Sequence, residues 1–205
     1  MTIDEKPRTV QRPARDGSLG RHTCALRWGM ALLAALASLC IVPGGRLHAS
    51  PPSAFQVETA MIYNMTRYVD WPEESFPAAN APFTICVLGK GELAAAVAAL
   101  QGKTIKGRPV VVRQIVQVGE KEACQIAVID KSERRRLRSL LKQLSRNGVL
   151  TVSDAPRFAA AGGAVGFVEL DGRVTFEINP EAGRQSRVRI SSQLLKLAHI
   201  VREGE

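Results

Sequence analysis

Apolar positions change their period several times along the chain. In AFQVETAMIYNMTRYVDWP, Val57, Met61, Met65 and Tyr68 recur at helical spacing, which predicts an amphipathic helix stopped by Pro72. Phe83-Thr-Ile-Cys-Val-Leu88 is a continuous apolar run of strand length. Gly89-Lys90-Gly91 then turns it into an alanine-rich helix over about 92–100. GRPVVVRQIV predicts a second strand, with Pro109 near its start, and Cys124-Gln-Ile-Ala-Val-Ile129 a third. Leu137, Leu140, Leu141 and Leu144 fall at i, i+3, i+4 and i+7 and predict a helix closed by Asn147-Gly148. VLTV at 149–152 is a short fourth strand. Continuous apolar strands alternating with helices predict parallel pairing, with helices on the faces of the sheet.

The end of the chain changes style. AVGFVELDGRVTFEIN predicts a hairpin around Asp171-Gly172, a favoured two-residue turn. That turn pairs Leu170 with Arg173 and sets Phe167 opposite Phe176. Val165, Phe167, Val174, Phe176 and Ile178 then share one face, while Arg173, Thr175 and Glu177 share the other. A polar, basic segment follows. Ser191 is placed to cap a last helix striped by Leu194, Leu197, Ala198 and Val201, with Leu195 and Ile200 outside the stripe. The predicted class is α/β: a single domain with a mostly parallel sheet flanked by helices, then a C-terminal antiparallel hairpin and a final helix.

The first 49 residues fall outside that pattern. Met30–Val42 is apolar and uncharged but shorter than the roughly 20 residues a membrane span needs. Arg21 and Arg27 precede it, Pro43-Gly-Gly45 ends it, and Leu47-His48-Ala49 offers small-residue cleavage after Ala49. The reading is an export leader over 1–49 and one domain over 50–205, with an uncleaved anchor or a lipoprotein signal through Cys40 as alternatives. Of 28 Lys and Arg and 19 Asp and Glu, 7 and 3 lie in the leader, which leaves 21 against 16. So mild a basic bias, with so few aromatics, argues against a nucleic-acid partner. The domain keeps two cysteines, Cys86 and Cys124, each in a strand-like run. In an exported chain an even pair reads as a disulfide, with two buried free thiols as the alternative.

Little of the usual chemistry is present. Gly89-Lys90-Gly91-Glu92-Leu93-Ala94 fits the dinucleotide-binding turn, but no acid stands at the end of the next strand, where Val110-Val-Val-Arg113-Gln114 lies. The plain reading is a tight turn between strand and helix, with an NADP-like use of Arg113 or a different anion at the helix N-terminus as the alternatives. Of three histidines only His199 lies beyond the leader, which excludes a histidine-cluster metal site. No G-x-S-x-G, H-E-x-x-H or Walker lysine occurs in the domain. No catalytic residue, metal or cofactor is expected. Arg134-Arg-Arg136 with Arg138 sets positive charge in the first turn of a helix, against the macrodipole, and Arg184, Arg187 and Arg189 form a second basic group. Both read as solvated faces or as contacts for an acidic surface.

YNMTRYVDWP, FTICVLGKGEL, LQGKTIKGRPVVVR, CQIAVIDKSE, GVLTVSDAPRFAAAGGAVGF, VTFEINPEA and RISSQLLKLA occur in one order over about 54–201. This ordered set resembles the YfiR family of periplasmic proteins. The resemblance implies regulation rather than catalysis: an α/β domain, often a homodimer, that represses an inner-membrane diguanylate cyclase by binding its periplasmic region. An OmpA-like outer-membrane lipoprotein would relieve the repression, and cyclic-di-GMP and biofilm formation would follow. The resemblance also implies that a disulfide supports the domain. A second cysteine pair found in some relatives is absent here. The expected contact surface is the hairpin and last helix, where Glu177, Asn179, Arg187, Arg189 and Ser192 lie beside Phe176 and Leu195. The alternative function is a small-ligand module acting on another membrane sensor, such as a histidine kinase.

Overall fold

A computed structural model describes residues 52–119, 123–145 and 148–204. The expected leader with its cleavage after Ala49, and Asn147 of the predicted helix stop, lie outside the described residues. The chain opens with α1 (Ala54–Met65), capped by Ser53, whose hydroxyl accepts from Gln56 N while the Gln56 side chain accepts from Ser53 N. The helix ends seven residues before Pro72, in a 3-10 turn over Thr66–Tyr68, because β1 (Val69–Asp70) already pairs with β9 (Arg189–Ile190). Its buried face is also rotated from the expected stripe. Glu58, Thr59, Ile62 and Met65 are buried, whereas Tyr68 is exposed.

The large sheet contains β2 (Phe83–Leu88), β3 (Thr104–Ile105), β4 (Arg108–Ile115), β5 (Ile126–Ile129), β6 (Leu150–Ser153), β7 (Val165–Leu170), β8 (Arg173–Ile178) and β10 (His199–Ile200). Their spatial order is β10-β8-β7-β6-β5-β2-β4-β3. The five strands from β7 to β4 run parallel. The chain leaves β2 toward β4 and then returns to β5 on the other side of β2. These two directions place α2 (Glu92–Val97) and α3 (Leu137–Leu144) on opposite faces, as right-handed crossovers require. Leu93 and Val97 pack with Ile85, Ile126 and Val152 on one face. On the other, Leu137, Leu140, Leu141 and Leu144 pack with Cys86, Leu88, Ala127 and Ile129. β2, β5 and β6 are buried on both faces, which explains the nearly continuous apolar runs of β2 and β5.

The hairpin register is as the sequence predicts: Leu170 pairs with Arg173 and Phe167 with Phe176, around Asp171 and Gly172 at φ +50° and +71°. A second hairpin, β3–β4, turns through Lys106 and Gly107 with the same handed conformation. The expected final helix shrinks to one turn, α5 (Ser192–Leu195), with Ser191 Oγ accepting from Leu194 N. His199 and Ile200 then form β10, parallel to β8, and Val201 N donates to Ile178 O at 2.9 Å. Pairing with the open edge of β8 wins over helical periodicity in so short a segment. Leu197 and Ile200 consequently face solvent. A short helix, α4 (Pro180–Gln185), links β8 to β9.

Arg134–Arg136 precede α3 instead of forming its first turn. Arg136 pairs with Glu133 at 2.8 Å and donates to Val116 O, so part of this basic run is structural.

Candidate functional site

Two places at the sheet's ends carry exposed or unsatisfied chemistry. The first is the C-terminal edge, formed by β8, α4, β9, α5 and β10. Along β8, strand alternation sends Phe176 and Glu177 to opposite faces. Phe176 packs against the first core, as does Leu195 of α5. Glu177 lies opposite Gly166 on one side and His199 on the other, partly exposed, and its side chain takes part in no hydrogen bond or ion pair among the described residues. Asn179 is turned inward. Its Oδ1 caps α4 by accepting from Glu181 N and Ala182 N, and its Nδ2 donates to Ala159 O. It shapes this edge from within and presents no free polar atom to a partner. Arg187, Arg189 and Ser192 are exposed. Arg187 holds φ +57° in the bend between α4 and β9. Beside them a groove of about 400 Å³ runs between α4 and the C-terminal segment, lined by Pro180, Arg184, Ile200 and Arg202.

The second place lies at the carboxyl ends of the parallel strands. The strand order reverses between β2 and β5, and ligands of open α/β sheets bind at such a reversal. β2 runs there into Gly89-Lys90-Gly91, β5 into Asp130 and β6 into Asp154. The glycine turn is already filled. Asp130 is fully buried against it, and a Cβ on Gly91 would come within 2.4 Å of both carboxylate oxygens. The chain's own carboxylate thus takes the place that a phosphate would need. Asp130 Oδ1 accepts from Ser132 N, while Oδ2 has no partner.

Glu58 of α1 and Asp154 face the same end. Burial, reinforced by the Asp154 and Asp130 charges and opposed by Lys131, pushes the Glu58 carboxyl up to about 7. Burial also raises Asp154, against a hydrogen bond of 2.8 Å from Lys131 N. The sequence reading missed this group. Its signal was available, since Asp130 directly follows the predicted strand that ends at Ile129 and Asp154 lies two residues beyond the one that ends at Val152. Glu58 gave none, because it lies between the apolar positions of the expected helix stripe.

Cys86 and Cys124 form the disulfide, with Cα atoms 5.8 Å apart, joining β2 to the segment entering β5. The sequence profile of the YfiR/HmsC-like family matches residues 55–199, from the first turn of α1 to β10.

The chain belongs to the YfiR/HmsC-like family.

No curated protein matches it. YfiR-like proteins are periplasmic regulators associated with a membrane diguanylate cyclase, and the family is regulatory rather than catalytic. Among the described residues no helix is long and apolar enough to cross a membrane, and no group of His, Cys, Asp and Glu is spaced to hold a metal.

Proposed function

We propose that this chain is a periplasmic repressor that binds the periplasmic region of an inner-membrane diguanylate cyclase and holds it inactive. Residues 1–49 export it, residues 50–205 act, and the active form is a homodimer. Lower cyclic-di-GMP and less biofilm follow from repression. An OmpA-like outer-membrane lipoprotein relieves it by competing for the repressor, which requires that sequestered and cyclase-bound forms exclude one another.

The observation that carries this reading is the family match across nearly the whole described domain. The C-terminal edge supports the choice of surface. There Arg187, Arg189 and Ser192 are exposed, and Glu177 is partly exposed on the face of β8 opposite Phe176. Glu177 has no internal partner, so reversing its charge removes a contact without removing a structural bond. Glu177→Arg is expected to abolish capture of the cyclase's periplasmic region while leaving the melting temperature within about 2 °C, as surface changes do. Undiminished capture by the mutant would remove Glu177 from the interface.

The pocket at the strand ends favours a second reading, a small-ligand module acting on another membrane sensor such as a histidine kinase. A protein that shifts on binding a small molecule, and captures no cyclase, would support that reading.

A further inference from the structure

Glu58 is an expensive residue for the buried face of a helix. It is 7% exposed, and its Oε2 has no hydrogen-bond partner. A buried carboxylate costs several kcal/mol unless a charge or donors compensate it. Asp154 faces the same space with a side chain only 6% exposed, and its Oδ2 also lacks a hydrogen bond. Between and beside them is an open cavity of about 200 Å³, lined by Phe55, Phe167 and Val174, with the exposed Glu169, the cross-strand partner of Val174, at its rim.

One cation already visits this space, and it is the chain's own. Lys131 Nζ stands 3.5 Å from Asp154 Oδ2 and 5.0 Å from the centre of the Phe55 ring. That is cation–π range, where an ammonium is held by the ring face. The Lys131 side chain is nevertheless half exposed, on a flexible stem that can swing into solvent. Two buried carboxylates, with Glu169 at the rim, therefore share one loosely held ammonium, next to aromatic and aliphatic walls. A hard divalent ion wants a shell of six or more oxygens, and among the described residues no group of His, Cys, Asp and Glu is spaced to hold one. An anion would be repelled.

We propose that the Glu58–Asp154–Phe55 cavity binds a small organic cation: an ammonium head lies between the two carboxylates on the Phe55 face, its short apolar body rests on Phe167 and Val174, and Lys131 is the resident ammonium that it displaces. The proposal is independent of the cyclase reading, because it concerns binding by this chain alone.

The test is a titration of the purified protein with butylamine at pH 8, followed by amide NMR, with butan-1-ol as the uncharged counterpart. Saturable shifts at Phe55, Glu58, Lys131 and Asp154 are expected with butylamine and not with butan-1-ol. Lys131→Met removes the competing ammonium from a half-exposed position and should tighten binding about tenfold. Glu58→Gln and Asp154→Asn should each weaken it by about tenfold, the effect of losing one charge-assisted contact. Equal responses to amine and alcohol, or unchanged affinity in both Lys131→Met and Glu58→Gln, would overturn the proposal. So would saturation of the same residues by calcium chloride but not by butylamine. Melting curves of each variant keep a folding defect from passing as lost affinity.

Discussion

At the scale of single residues, Glu58 carries the clearest consequence. Its carboxyl is raised to about 7 in the folded protein, chiefly by burial, while an unfolded chain restores the ordinary glutamate value. Between those values the folded state binds the extra proton. Its contribution is therefore fully present at acid pH and is lost as pH rises through about 7. Asp154 is shifted in the same direction and adds to the trend. Glu58→Gln removes the titration. It should flatten the fall in melting temperature between pH 5 and 8, and stabilise the protein at pH 8 by on the order of 2 kcal/mol. A melting series across that range, wild type beside mutant, checks it. Parallel curves would show that Glu58 is not the titrating group. The neighbouring Asp130 illustrates the opposite economy. It is buried against Gly89 and Gly91 and gives the glycine turn a structural purpose, where the motif alone suggested a nucleotide.

At the scale of elements, the disulfide ties β2 to the entry of β5 across a 38-residue separation, beneath α3. Closing such a loop stabilises by roughly 4 kcal/mol in the chain-entropy model. The double variant Cys86→Ala/Cys124→Ala should lose about that much in urea unfolding, and reductant should then have no further effect on it. A loss near zero would mean that packing around α3 holds these strands without the bond. The elements best read from sequence were those whose pattern and packing agree. The hairpin register followed from Asp171-Gly172 and one apolar face, and α3 from four leucines. The elements misread were short ones decided by pairing elsewhere in the chain. α1 yields to β1 because β9 lies more than a hundred residues away, and the last helix yields to β10 because β8 offers an edge. β3 passed unseen because two residues carry no period. The same logic applies to the sites. Glu177 and the arginines could be placed at the surface from alternation and charge. The inward turn of Asn179 depends on an α4 cap that the sequence reading did not include, although Asn179-Pro180 is a cap signal. The Glu58–Asp154 pair needs α1 and the end of β6 to meet, which no local pattern reveals.

At the scale of the whole molecule, the doubly wound sheet has two distinct ends of interest. One is a basic C-terminal edge suited to a protein partner. The other is an acidic pocket beside α1 at the carboxyl ends of β5, β6 and β7, suited to a small cation. A regulator with both could couple them, since any ligand that prefers one arrangement of the domain shifts the other site by its difference in affinity. The central claim remains repression of a membrane cyclase from the periplasm. Intracellular cyclic-di-GMP in the native host, with this chain deleted and then restored, tests it most directly. The account predicts a rise on deletion that is reversed by the exported chain, and not by a leaderless chain or by Glu177→Arg. An unchanged level on deletion, or full reversal by the leaderless chain, would contradict it.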